Sequence, residues 1–136
     1  MGAARIGHAL MQEVRFMTYL DSAWYVVADG ARARVLKHAG GTFHPLTSLT
    51  AGDEGEDAFA RTLATYLNDA AERGEIDGLA LAAPPRTLHL LRTHLSATVR
   101  ALVVSEQPHD LTGVADHDLP SHFDIPATGW LRPVPG

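Results

Sequence analysis

Residues 79–83, LALAA, form an unbroken apolar run that ends on Pro84-Pro85. A short run with no polar residue on either side of the pleat fits a strand buried on both faces, which needs a layer of structure above and below its sheet. Helical patterns flank it on both sides. Phe59, Leu63, Tyr66, Leu67 and Ala70 form a stripe before it, with the acids of TAGDEGED (50–57) ahead of its start and Gly74 at its end. Leu88, Leu91, Leu95 and Val99 form a second stripe after Pro85, a residue suited to the first helical turn. ALVVS (101–105) then reads as a further strand. This helix-strand alternation predicts parallel neighbours joined by right-handed crossovers.

The chain ahead of this alternation carries two hairpin signals. WYVVA (24–28) and ARARVLKH (31–38) flank Asp29-Gly30, and Gly40-Gly41 leads into TFHPLTSL (42–49). A turn on Asp29-Gly30 predicts that Val27 faces Arg32, Tyr25 faces Arg34 and Trp24 faces Val35, so that both arginines share a face with Tyr25. Beyond Gly40-Gly41, His38 faces Phe43 and Lys37 faces His44. Pro45 cannot donate to a ladder, which places its strand at a sheet edge. A third helix is expected within 111–123, broken or offset by Pro120. The order βββαβαβα is that of a ribonuclease H-like α/β mixed sheet, with three antiparallel strands first, then parallel strands with flanking helices, arranged 3-2-1-4-5.

With 136 residues, of which 46% are hydrophobic, one domain is expected. Its predicted limits are 23–123, with an N-terminal extension at 1–22 and a Pro/Gly-rich tail at 124–136 from which Trp130 is the candidate to dock back. The first 20 residues carry Arg5, His8, Glu13 and Arg15, so no secretory or membrane-spanning run is read there. There is no cysteine, which removes disulfides, thiolate metal sites and cysteine nucleophiles and fits a reducing compartment, the cytoplasm. A net charge of −5 argues against gripping nucleic acid through phosphates over a broad face, although a local basic patch is compatible with it.

The residues carry little catalytic chemistry. A two-metal nuclease on such a sheet needs a carboxylate at the end of the fourth strand, where this chain has Ala82-Ala83-Pro84. Asp29 with Glu54, Glu56 or Asp57 supports a second reading, a divergent metal-dependent nuclease or phosphoesterase. Asp29 is equally a turn residue, and the others suit a helix N-terminus. The eight histidines lack ligand spacing: His117 and His122 are five apart, and Pro120 separates Asp118 from His122. No serine sits in a nucleophile elbow. No catalytic residue, metal site or cofactor is therefore predicted. AAPPRTL (82–88) is the most suggestive segment, because free N–H groups at a helix start beside Arg86 and Thr87 suit a phosphate or carboxylate. Pro at that position is also plain helix initiation.

Three stretches, WYVVADGARARVL (24–36), FARTLATYLNDAAERGEIDGLALAAPPRTL (59–88) and VRALVVSEQPHDLT (99–112), resemble the bacterial host-attachment protein family, described as required for attachment to host cells. The family is itself similar to the middle domain of archaeo-eukaryotic release factors and of Pelota. The resemblance implies a ribonuclease H-like fold without the catalytic acids and a translation-linked or ribosome-associated role, with the ribosome, its RNA or a translation-linked protein as partner. Release factors act through Gly-Gly-Gln, which does not occur here. The residues that transfer as candidate binding positions are Asp29, Arg32, Arg34, Arg86, Thr87 and Asp110. Pro84, Pro85 and Thr112 transfer as motif residues. The family's long polar loop before the first helix has shrunk to about 50–56. Its helix after Asp-Leu-Thr is interrupted here by Gly113-Val114-Ala115 and Pro120. The expectation is a non-enzymatic binding module; direct adhesion at a cell surface fits less well, because no export signal is read. The oligomeric state is left open.

Overall fold

The computed structural model describes residues 23–39, 42–123, 125 and 130. The expected N-terminal extension, the Gly40-Gly41 turn and the rest of the tail lie outside the described residues. Five strands form one mixed sheet in the order β3-β2-β1-β4-β5, with β1 at Ala23–Ala28, β2 at Arg32–Ala39, β3 at Thr42–Thr50, β4 at Gly78–Ala82 and β5 at Val103–Gln107. The first three strands pair antiparallel, and β1, β4 and β5 run parallel. β1 and β4 are central and buried along their whole length, as continuous apolar runs require.

Helices α1 (Glu56–Glu72) and α2 (Pro85–His94) pack on one face through Phe59, Leu63, Leu67, Leu88 and Leu91 against Val26, Val35, Leu79 and Leu81. The other face is covered by the C-terminal segment, where Leu111, Leu119 and Phe123 close over Tyr25, Val27, Leu36 and Phe43. The end of α1 is a Schellman motif: Glu75 N–H donates to Ala70 O and Gly74 N–H to Ala71 O, both at 3.0 Å. Gly74 has φ +73°, a conformation that costs any residue with a Cβ.

The first hairpin departs from the expected register. Val27 faces Arg34, Tyr25 faces Leu36 and Trp24 faces Lys37. The turn sits on Gly30-Ala31 instead of Asp29-Gly30: Asp29 N–H donates to Arg32 O at 2.9 Å, and the Asp29 carboxylate accepts from the backbone of Ala31 and Arg32. A side-chain cap fixes this turn, so Gly30 has no positive φ. The shift is by two residues, which preserves the face, and both arginines still share a side with Tyr25. The second hairpin pairs His38 with Phe43 and Lys37 with His44. β3 lies at the sheet edge, and a bulge beside Pro45, which faces Leu36, leaves Leu46 as the extra residue.

The second helical stripe is two helices. Leu95 turns extended and Ser96 caps α3 (Ala97–Leu102), its hydroxyl accepting from Val99 N at 3.2 Å. Asn68 of α1 holds the break, donating to His94 O at 3.2 Å and accepting from Ser96 N at 2.9 Å. Leu88, Leu91, Leu95 and Val99 are all buried regardless. Because α3 extends through Leu102, the last strand begins at Val103 and not Ala101. The third expected helix is a 3-10 turn at Asp116–Asp118 followed by α4 (Leu119–His122), with Pro120 in its first turn, where a missing N–H is harmless. Trp130 donates its indole N–H to Tyr25 Oη at 2.5 Å. Burial raises the Tyr25 phenol above its ordinary pKa, and this hydrogen bond partly opposes the rise. Among the described residues no helix is long and apolar enough to cross a membrane.

Candidate functional site

The topology gathers the predicted binding residues at one end of the sheet. β1, β4 and β5 run parallel, and Ala83 N–H donates to Gln107 O at 3.1 Å where the last two leave it. Ala51 N–H donates to Ala31 O at 2.7 Å, which ties the exit of β3 to the β1–β2 turn. The Asp29–Arg32 turn, the starts of α1 and α2, and the Asp110 loop therefore share the carboxyl end of the parallel strands, where open α/β sheets commonly bind ligands.

Asp29 is the cap of its own turn, with Oδ1 accepting from Ala31 N at 2.8 Å and from Arg32 N at 2.7 Å. Burial works against its ionisation, but those two bonds, with Arg32 nearby, outweigh it and hold the carboxyl below its ordinary value. A folded-state pKa below the unfolded one adds stability that is present above about pH 4 and lost as pH falls through the folded value. Asp29→Asn is therefore expected to be less stable than the parent at neutral pH, with the gap closing below about pH 4 in thermal unfolding. A gap that stays constant with pH would contradict that role for the charge.

Each of the three arginines has a carboxylate of its own. Arg32, its side chain 67% exposed, lies 3.5 Å from Asp29 Oδ2. Arg86, 79% exposed, donates through Nε to Glu56 Oε2 at 2.6 Å. The Glu56 side chain in turn lies across Gly30, where an added Cβ would come within 3.1 Å of its Cγ and Cδ. Surface pairs of this kind contribute little to stability and exchange readily.

Arg34 is different. It pairs with Asp116, and Nη2 donates to the carbonyls of Val114 (2.5 Å), Leu111 (3.3 Å) and Thr112 (3.5 Å). Asp110 presents those carbonyls by closing an Asx turn, its Oδ1 accepting from Thr112 N at 2.9 Å and from Thr112 Oγ1 at 2.5 Å. Arg34 and Asp110 thus pin the C-terminal segment to the sheet. Arg32, Arg34 and Ser48 line a shallow cleft of about 200 Å³ with Thr50 and Thr112. Thr87 stands in the first turn of α2 and is buried, 5% exposed.

The acids of the nuclease reading are engaged separately: Asp29 by backbone N–H groups, Glu56 by Arg86, and Asp57 by Arg61 at 3.1 Å and His94 at 2.9 Å. The hydrogen bond from His94 holds Asp57 below its ordinary pKa. Glu54 is exposed in the loop ahead of α1. No three acids or histidines converge on a metal position among the described residues. Sequence reasoning missed three partners, Glu56 for Arg86, Asp116 for Arg34 and Asn68 for the helix break. Glu56 and Asp116 suited helix starts or a histidine-acid cluster equally well, and nothing local marks a contact across 82 residues.

Comparison with known proteins places this end of the sheet in context. A family model described as "Protein required for attachment to host cells" matches residues 50–123, more than half of the chain. The chain belongs to that host-attachment family. The matched part runs from the end of β3 through α4 and includes Arg86, Thr87 and Asp110. The hairpin that bears Asp29, Arg32 and Arg34 lies ahead of it, in the same sheet. No curated protein matches the host-attachment chain. Among solved structures, an archaeal translation termination factor, aRF1, aligns with a TM-score of 0.54 at 13% identity, over 75% of this chain and 34% of that one. S. cerevisiae Dom34, a translation termination-like factor involved in RNA quality control pathways and interacting with Hbs1, aligns with a TM-score of 0.50 at 10% identity, over 85% and 38%. The host-attachment chain therefore shares a fold with these factors and spans about a third of their length.

Proposed function

We propose that this host-attachment protein is a non-enzymatic binding module that works with the translation machinery, contacting ribosomal RNA through the end of the sheet where Arg32 and Arg86 stand. The observation that carries the reading is the pairing of a fold shared with translation termination factors with two exposed arginines at the carboxyl end of its parallel strands. Their bonds to Asp29 and Glu56 are surface ion pairs, exchangeable for RNA phosphates at small cost. Arg34 contributes indirectly, by holding the 111–116 loop beside that end. The strand order and the mix of antiparallel and parallel pairs support a ribonuclease H-like assignment for a domain of residues 23–123. A cytoplasmic setting belongs to the same reading, supported by the cysteine-free composition, and a bacterial one rests on the family resemblance.

The test is binding to purified ribosomal particles by the full chain and by Arg32→Glu/Arg86→Glu. The expected result is saturable binding that falls at least tenfold in the double variant and weakens with added salt. Binding unchanged by the double variant would remove this surface from the contact.

A further inference from the structure

Helix α2 starts on two prolines, and neither satisfies it. Pro84, the cap, supplies no side-chain acceptor, and Pro85 has no N–H. The first bond that closes the helix is from Leu88 N–H to Pro84 O, 3.0 Å. The N–H groups of Arg86 and Thr87 thus have no acceptor among the described residues.

Thr87 adds an independent observation. It is 95% buried, counted from its 5% exposure, and its hydroxyl has no hydrogen-bond partner among the described residues. No fully enclosed side-chain oxygen lacks a partner in the described structure, so the small exposed part of Thr87 includes that hydroxyl. Side chains on a helix tilt toward its N-terminus, which carries the Thr87 side chain toward the mouth formed by the two free N–H groups.

The Arg86 side chain already holds an anion of the protein's own. Glu56 holds Arg86 Nε at 2.6 Å and lies across Gly30, which has no side chain to exclude it. We propose that the start of α2 is a phosphate-binding site. The N–H groups of Arg86 and Thr87 and the Thr87 hydroxyl hold phosphate oxygens, the Arg86 guanidinium moves from Glu56 onto the ligand, and Glu56 is the competing anion it leaves. The proposal deepens the ribosomal reading and rests on it for the source of the phosphate, an RNA backbone; free orthophosphate offers the same chemistry.

The experiment titrates the ¹⁵N-labelled full chain with inorganic phosphate at constant ionic strength and follows the amides of Arg86 and Thr87. Saturable shifts at these amides are expected. Thr87→Val should weaken them about fivefold, the worth of one hydrogen bond, and Glu56→Gln should strengthen them about threefold. Thr87→Ser, which keeps the hydroxyl, should bind like the parent, and with Glu56→Gln it keeps the test decisive if the valine variant does not fold. No saturable shift at the two amides, an equal response to acetate, or a Glu56→Gln variant that binds no better would overturn the site. A single-stranded oligoribonucleotide moving the same amides assigns the phosphate to RNA. If orthophosphate binds there while ribosomal particles bind nowhere, the site stands and the ribosomal reading falls. If particles bind but neither phosphate probe moves the amides, the site falls and the ribosomal reading stands.

Discussion

Arg34→Ala is expected to destabilise the fold by about 2–3 kcal/mol, although Arg34 is only partly buried. Its guanidinium is the shared donor for Asp116 and for the carbonyls of Leu111, Thr112 and Val114, so truncation takes this donor from Asp116 and from the Thr112 and Val114 carbonyls at once, while Leu111 O keeps the N–H of Val114. The cost comes mainly from those stranded acceptors, since a charge pair on this partly exposed side chain contributes less than a buried one. At roughly 3–5 °C per kcal/mol for a domain of this size, the thermal midpoint should fall by about 10 °C. Asp116→Asn removes the charge and keeps the carbonyl contacts, so it should cost about 1 kcal/mol. The loss should also show locally, as faster amide exchange in 111–123 than in β1 or β4. An Arg34→Ala variant with parental stability and an unchanged exchange pattern would mean that the C-terminal segment is held by Leu111, Leu119 and Phe123 alone.

Leu67→Ala should cost about 3 kcal/mol, or more if the helix cannot settle into the space. Leu67 is fully buried in the layer between α1 and the sheet, in the same cluster as Leu63, Leu79 and Leu91. Both the lost burial and the cavity contribute. Leu67→Met roughly preserves volume and should stay within about 1.5 kcal/mol of the parent. Leu46→Ala, at the exposed bulge of the edge strand, should change stability by no more than about 0.5 kcal/mol. Chemical denaturation midpoints at a common slope measure all three. Equal losses for Leu67→Ala and Leu46→Ala would contradict the assignment of the core to the α1 face.

Elements held by local pattern are legible in this sequence, and elements held by side-chain partners are not. The run LALAA and the stripe from Phe59 to Ala70 announce β4 and α1 because burial and period act on every residue in them. Pro45 announces a sheet edge because it lacks one donor. The first hairpin register was not legible, since the Asp29 carboxylate, bonding to Ala31 and Arg32, places the turn one residue later than the dipeptide alone implies. The break at Leu95 left one local signal, Ser96 as a helix cap, which the continuous leucine stripe masked. Of the candidate site, Arg86 and Thr87 were legible as a helix start. That Arg34 is spent on a loop some 80 residues away was not, because such a pairing exists only in the folded chain.

The proposed contact of this family member with the translation machinery runs through the Arg32 and Arg86 end of its sheet. Sucrose-gradient sedimentation of the tagged full chain from a native lysate, at low and moderate salt, decides whether that contact forms. Comigration with ribosomal particles at low salt, reduced at moderate salt and lost in Arg32→Glu/Arg86→Glu, is the predicted result. A protein that stays at the top of the gradient under every condition, or one that comigrates equally well with both arginines reversed, would contradict it.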